Sequence, residues 1–402
     1  MATDYLKAVN ILKDSVIPAD TETSGLDGAY GRILAEDIYA SVNIPSFDRS
    51  PYDGYAFLAE DTKGASIQEP KTLKVIDDIK AGQMPSKEIK SGYAIRLMTG
   101  APVPAGADAV CKYEDTVFDD TSVTISKEYS PGDNIIRAGE DIKAGRLIAE
   151  KGSVIDAGLI ASMASLGIVI PRVYRRPVAG IISTGDEVID ASCTPPPGKI
   201  RNSNRYTIAA ALLSIGFDTV YLGHAGDDID DIRNLIDGGF NTCDVTVSTG
   251  GVSAGDYDLV PDAMKEAGYE ILLRGVAMKP GMACAYGLKD GKIMLALSGN
   301  PASSLTNLQC VCYPALKKLA GYREYDHKLF RAKLKDGFSK SGKGTRFLRG
   351  RLGITGNEIY ISVPSGQGNV VISSAIGCNA YGILNDTAAP AKEGTLIDCF
   401  CV

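Results

Sequence analysis

Histidine is scarce in this chain: His224 and His327 are the only two in 402 residues. Nucleophilic triads of the trypsin or papain type need a histidine placed beside a serine or cysteine, and no such arrangement is present. The nine cysteines include no C-x-x-C pair, so the soft ligands at recurring spacings that a structural zinc site requires are missing. Their scatter suits buried hydrophobes in a reducing compartment, and the spacing of Cys399 and Cys401 suits a strand. A membrane-spanning run is also lacking, because the most apolar stretch, residues 154–170, is broken by Asp156 and several small polar residues. Residues 1–10 contain Asp4 and no apolar core of the kind a secretory signal carries. Positive charge is not in excess: Lys+Arg is 42 against Asp+Glu 49, a net charge of −7, which argues against non-specific nucleic-acid binding. These absences predict a cytoplasmic protein with neither membrane nor nucleic acid as partner.

The length predicts two to four domains, at roughly 150 residues each. Residues 2–16 carry Tyr5, Leu6, Val9, Leu12 and Val16 at helical spacing, with Thr3 or Asp4 as N-cap. From about 41 to 130, short apolar runs broken by Pro, Gly and Asp predict a β-rich module. A helix returns over 156–166 and stops at Gly167. After a basic break at 172–177, strands over 178–183, 218–222, 245–248 and 293–297 alternate with helices over 205–215, 228–237 and 301–319. That alternation predicts an α/β domain with a doubly wound parallel sheet. Residues 330–402 read as short strands with Gly and Asn turns, hence a β-barrel or sandwich.

Chemistry gathers at strand ends. The run 245–248 stops at Gly250 and Gly251, and Ser253, Asp256 and Asp258 follow within eight residues. Open α/β sheets bind ligands at the carboxyl ends of their strands. Glycines there let backbone N–H groups approach an anion, and carboxylates beside it supply the hard oxygens that magnesium prefers. Two further strands end in polar, Gly-containing loops: Thr184, Gly185, Asp186 and Glu187 after the first, and Ser298, Gly299, Asn300 and Pro301 after the last. Asn300 and Pro301 open a helix, whose free N–H groups favour an anionic phosphate. Asp186 and Glu187 equally suit capping of the next segment.

Eight motifs follow one another along the chain: S-P-Y-D-G-Y-A at 50–56, M-T-G-A-P-V-P at 98–104, G-A-D-A-V at 106–110 and R-A-G-E-D-I at 137–142, then S-T-G-D-E at 183–187, S-T-G-G-V-S at 248–253, M-K-P-G at 278–281 and S-G-N-P at 298–301. In this order they resemble the molybdopterin molybdenumtransferase family, the MoeA and gephyrin E-domain proteins. The resemblance implies a homodimer built from an elongated dimerisation part (1–42 with 136–176), an inserted β-rich subdomain (43–135), a molybdopterin-binding α/β subdomain (177–326) and a C-terminal β-barrel subdomain (327–402). It implies magnesium-dependent cleavage of adenylylated molybdopterin, release of AMP and insertion of molybdate or tungstate. A transient contact with a molybdopterin adenylyltransferase would supply the substrate. Carried onto this sequence, Asp258 and Asp186 become magnesium ligands with Glu187 in support, and Lys279 an anion clamp. Thr184, Gly185, Gly250, Gly251, Ser253 and the 298–301 loop become pterin-binding groups. Asp53, Thr99 and Asp141 would complete the cleft from the partner protomer, each being also compatible with turn chemistry. Arg349 and Ser374 match oxyanion positions.

The departures from the family concentrate at the anion. The usual Lys-Pro-Gly-Lys-Pro reads Lys279, Pro280, Gly281, Met282, Ala283 here, and Val371 stands where an arginine is usual. Ser298 replaces a proline, and Pro51 and Tyr52 replace Ala-Met. Losing a lysine beside a dianion removes a contact worth about 1.5–3 kcal/mol. Two readings stand: an insertase, or a divergent paralogue that binds a pterin or nucleotide without inserting metal.

Overall fold

Asp4 accepts the Lys7 N–H at 3.1 Å and so caps helix α1, Tyr5–Asp14. The helix buries Tyr5, Ala8, Val9 and Leu12, while Leu6, one position off that stripe, is exposed. The computed structural model describes residues 2–252, 259–340, 344–385 and 390–402. They form two units. The larger joins the chain up to Glu36, Lys151–Asp156 and Ile170–Val402; the smaller comprises Asp37–Glu150 and Ala157–Val169.

The centre of the larger unit is a six-stranded sheet of β1 (Val178–Thr184), β2 (Asp218–Ala225), β3 (Val245–Thr249), β4 (Glu270–Arg274), β5 (Cys284–Lys289) and β6 (Lys292–Leu297), in the order β2-β1-β3-β6-β5-β4. Side chains alternate across it. Ile181, Val247 and Leu295 point into one core with α1 and helix α2 (Asn204–Leu213), whereas Ile182, Met294 and Ala296 point into another. Helices α3 (Ile229–Thr242) and α4 (Val260–Glu266) cover that second face, so the sheet is doubly wound as the alternation predicted. β2, β1, β3 and β6 run parallel. The edge formed by β5 and β4 is antiparallel, an extension not foreseen from the sequence. The hairpin that joins β5 to β6 turns at Asp290 and Gly291, both at positive φ (47° and 79°), as a tight primed turn requires.

The helix expected over 301–319 is three pieces: α5 (Pro301–Asn307), a π-helical turn Leu308–Cys312, and α6 (Tyr313–Leu319). Pro314 has no N–H to give the Cys310 carbonyl four residues back, which breaks the regular ladder. His327 donates its Nε2–H to that carbonyl instead, at 3.2 Å. Burial, opposed by bonds to carbonyls, brings the His327 pKa down to about 4, so the ring is a neutral structural donor.

Five strands, β7 (Phe330–Leu334), β8 (Thr345–Thr355), β9 (Glu358–Ser362), β10 (Ala380–Leu384) and β11 (Leu396–Cys401), close into a barrel in the order β8-β9-β7-β11-β10-β8. Along β11, Cys399 is buried, on the same face as Ile397, and Cys401, two residues on at the strand's end, is exposed. In the smaller unit, six strands between Gly54 and Ile125 form one sheet, bearing out the β-rich module. Among the described residues no helix is long and apolar enough to cross a membrane.

Arg175 anchors the start of β1. Its guanidinium bonds both Asp244 oxygens, at 2.6 and 2.7 Å, and Asp244 also accepts the Val178 N–H at 2.8 Å. Burial opposes ionisation of Asp244, but the guanidinium fork and the Val178 N–H outweigh it and hold the carboxyl below its usual range. Because the folded pKa is depressed, this stability is present above the unfolded pKa near 4 and fades as pH falls through the folded value. Asp244→Asn is expected to cost about 2 kcal/mol at pH 7 and to show a smaller deficit at pH 3, measured by urea denaturation at both pH values.

Candidate functional site

The carboxyl ends of β1, β3 and β6 meet at a cleft of about 690 Å³. Thr184, Gly185 and Glu187 line it from the first loop, Gly250 and Gly251 from the second, and Ser298–Pro301 from the third. The loops are tied to one another. Gly250 N–H donates to the Leu297 carbonyl at 3.0 Å, the Asn204 amide donates to the Gly299 carbonyl at 2.8 Å, and His224 Nε2 donates to the Gly185 carbonyl at 2.9 Å. A narrower recess of about 40 Å³ opens beside Ser183, Asn202 and Asn204. Asn202 is pinned there, donating to Ser183 Oγ at 2.8 Å and accepting the Arg205 N–H at 3.1 Å.

The acids are arranged less simply than the sequence suggested. Glu187 lies over Gly185, where an added Cβ would sit 2.5 Å from Glu187 Oε2, and it lines the cleft. Asp186 does not line it; its Oδ1 accepts the Asp227 N–H at 3.2 Å and its carbonyl accepts Lys199 Nζ at 2.5 Å. Asp227 lines the cleft in its place and was missed from sequence. The signal was present: β2 runs on to Ala225, so Asp227 follows a fourth strand at the same sheet edge. Asp258, Asp256 and Ser253 lie outside the described residues. Among the described residues no three His, Cys, Asp or Glu side chains are grouped to hold a metal ion.

Lys279 sits in a two-residue strand, Met278–Lys279, paired in parallel with Thr345 and Arg346 of β8. Its side chain is exposed and does not line the cleft, but Gly281, Met282 and Ala283 of the same loop do. Met282 is 52% exposed. From the barrel, Asn369 and Val370 complete the lining, and the Asn369 carbonyl accepts the Ala302 N–H of α5 at 3.1 Å.

Arg349 and Ser374 are brought together inside the barrel's contact with α5. Arg349 is 1% exposed. Its Nε and Nη2 donate to Ser374 Oγ at 3.1 and 2.9 Å, and Nη1 donates to Thr306 Oγ1 at 3.2 Å. Three of the five guanidinium N–H groups are thus held by hydroxyls, and among the described residues no carboxylate pairs with it. Burial pushes its pKa down, yet a guanidinium keeps its proton in proteins. A buried charge without a counter-charge costs several kcal/mol, and an anion would relieve it.

In the smaller unit, Asp53 Oδ1 accepts both the N–H and the hydroxyl of Thr99, at 2.6 and 2.8 Å. Those two bonds, with the nearby Arg96 charge opposing slight burial, hold the Asp53 carboxyl below its usual range. Asp141 is exposed, and among the described residues only its backbone is engaged, donating to the Ile44 carbonyl at 3.1 Å and accepting from Arg146 at 3.1 Å.

Comparison with known proteins matches three family descriptions: the MoeA N-terminal region, domains I and II, at residues 3–167; a probable molybdopterin binding domain at 180–318; and the MoeA C-terminal region, domain IV, at 331–400. A molybdopterin molybdenumtransferase of Staphylococcus epidermidis is 36% identical over 375 residues, 93% of this chain and 89% of the relative. One from Staphylococcus aureus is 37% identical over 359 residues, 89% and 85% of the two chains. Two crystal structures of a molybdopterin biosynthesis MoeA protein from Pyrococcus horikoshii superpose with TM-scores of 0.83 and 0.85 at 31% and 28% identity. They cover 100% of this chain and 99% and 100% of theirs.

The closeness of the loops can be tested at one atom. Gly250 has φ 102°, and a Cβ there would lie 2.6 Å from Thr184 Oγ1 and 2.8 Å from the Thr184 carbonyl oxygen. Gly250→Ala is expected to cost about 1–3 kcal/mol of stability and to weaken ligand retention in the cleft. Gly238→Ala, in α3 with nothing within 4 Å of its Cβ, is the control and should gain about 0.5–1 kcal/mol. Urea titration and calorimetric ligand binding read the two effects.

Proposed function

Because the chain belongs to the MoeA family of molybdopterin molybdenumtransferases, transferases of molybdenum cofactor biosynthesis, we propose that it takes adenylylated molybdopterin, releases AMP and inserts molybdate or tungstate into the dithiolene. The observation that carries this reading is the convergence of three Gly-bearing strand-end loops on one cleft. A pterin phosphate in that cleft meets the N–H of Gly251 and the hydroxyl of Ser298. Thr184, Gly185, Gly250, Gly299, Asn300 and Pro301 shape the wall around it through bonds among the loops, Gly185 N–H to the Ala225 carbonyl at 3.2 Å and Gly250 N–H to the Leu297 carbonyl at 3.0 Å. Ser253 belongs to the same loop and the same role.

Magnesium suits the donor set. Glu187 and Asp227 present hard carboxylate oxygens to the cleft, and magnesium is commonly held by one or two carboxylates together with substrate phosphate and water. Bound there with Asp258, it would neutralise charge on the phosphate as the adenylate leaves. Asp186 holds Asp227 in place through its backbone N–H. Lys279 and Arg349 receive the oxyanion, Arg349 through its remaining N–H groups. Ser374, whose hydroxyl donates to the Val371 carbonyl at 2.8 Å and accepts from Arg349, holds the guanidinium for it.

The working form in this reading is a homodimer, in which Asp53, Thr99 and Asp141 of one protomer complete the cleft of the other. Thr99 fixes Asp53 in its ionised form for that purpose. The four-part division at 42, 135, 176 and 326 follows, with the first and third segments forming the dimerising part. A molybdopterin adenylyltransferase hands over the substrate by transient contact. Met282, exposed in the cleft where a lysine is usual, favours the second reading of a paralogue that binds the pterin or a nucleotide without inserting metal.

AMP release from adenylylated molybdopterin and magnesium, with and without molybdate or tungstate, separates the two. Release that depends on one oxyanion is expected, and oxyanion-independent binding without release would overturn the insertase. Arg349→Met sharpens the test. Replacing an uncompensated buried charge by an apolar side chain of similar size should leave stability unchanged or higher by about 1–4 kcal/mol, while oxyanion-dependent release is lost.

A further inference from the structure

In the smaller unit, a tyrosine next to Asp53 is held more firmly than a surface side chain needs to be. Tyr52 is 38% exposed, yet both ends of its backbone are clamped by one buried hydroxyl. Ser50 Oγ accepts the Tyr52 N–H at 3.2 Å and donates to the Tyr52 carbonyl at 2.5 Å. Lys112 Nζ lies 4.0 Å from the centre of the ring. The lysine's strand is tied to the same loop, since Tyr113 N–H donates to the Asp53 carbonyl at 3.1 Å. Among the described residues the Lys112 ammonium has no hydrogen bond and no carboxylate partner. Asp53 beside it is anchored through Oδ1 only, and Arg96 stands behind, 4.9 Å from the Tyr113 ring. A preset aromatic face, a cation without a counter-ion and a free carboxylate oxygen therefore share one loop cluster.

We infer that Tyr52 and Lys112 form a stacking platform for a flat heteroaromatic ring that carries a phosphate. An exposed cation–π contact is weak, and a charge-assisted bond to phosphate is stronger. An incoming ring takes the tyrosine face, and the displaced ammonium turns to the phosphate. Asp53 Oδ2 faces the same ligand, as an acceptor for a ring amino group. The inference rests on the proposed reaction, whose substrate offers two such rings, a pterin and an adenine.

Calorimetry on the full-length protein with AMP, adenosine, neopterin monophosphate and neopterin tests the platform. Tyr52→Ala is expected to raise the dissociation constant roughly tenfold for one ring type, and which pair responds identifies the ring. Tyr52→Phe should stay within about twofold of the original protein, with an unchanged unfolding midpoint for both variants. Lys112→Gln should weaken the phosphorylated probe of that pair and leave its unphosphorylated form alone. Unaltered affinity for all four probes in Tyr52→Ala, or no binding of any by the original protein, overturns the platform. If AMP release nevertheless proceeds, the proposed reaction survives that result; if the original protein releases no AMP yet shows the Tyr52 effect, the reaction fails and the platform stands.

Discussion

Every feature of the cleft depends on three backbones approaching more closely than any side chain permits. β1, β3 and β6 are neighbours in the sheet, about 4.8 Å apart, and their loops leave at the same edge. Gly250 packs directly on Thr184, and a Cβ on Gly299 would already touch Gly250 at 3.5 Å. With those side chains absent, the loops interlock, Gly250 N–H closing on the Leu297 carbonyl at 3.0 Å, and all three line a single volume. Larger residues would spread the loops and open gaps that water would fill. On the proposed reading, anion recognition belongs to this sheet edge, and Glu187 and Asp227 at its rim bring the magnesium.

One short helix carries that arrangement into the barrel. α5 begins with Pro301 in the cleft, and its own residues reach three other places. Asn307 donates to the Gly281 carbonyl at 2.8 Å, which positions the loop bearing Met282. Thr306 Oγ1 receives Arg349 Nη1, and Tyr381 reaches Gln309 at 2.9 Å just beyond the helix. The Asn369 carbonyl returns from the barrel to Ala302. A displacement of α5 would therefore move the phosphate end, the Met282 loop and the buried guanidinium together. The π-helical turn after it absorbs the irregularity that Pro314 imposes, so α5 keeps its own geometry.

Much of this was legible in the sequence, and the reasons differ by element. The parallel strands and their covering helices announced themselves through β-branched runs and helical spacing, because both faces of β1 and β3 are buried. The barrel was legible as strands with Gly and Asn turns, although its closure needed pairings between β8 and β10 that no local pattern encodes. β4 and β5 escaped notice even though Asp290–Gly291 is a strong hairpin signal; Glu270–Arg274 is short and half-exposed, and lacks a clean period. Thr184, Glu187, the Gly250 loop and 298–301 did converge. Asp186, although exposed, is spent on the Asp227 N–H, because the β2 strand extends three residues further than its apolar run and puts Asp227 at the edge. Side-chain direction of that kind is set by tertiary packing and leaves no trace in spacing.

The loss of a lysine at Met282 weighs less than its position suggests. Met282 is 52% exposed, and a lysine there would act through solvent, where salt screens a charge within about 8–10 Å. Arg349 is almost wholly buried, so its field is screened far less and each contact to an anion counts for more. Hydroxyls of Thr306 and Ser374 hold it without neutralising it, whereas a carboxylate partner would have cancelled the charge. On the proposed reading, the site has given up an exposed cation and kept a buried one. An oxyanion site built that way loses some affinity and keeps its orientation, and orientation is what transfer to the dithiolene requires.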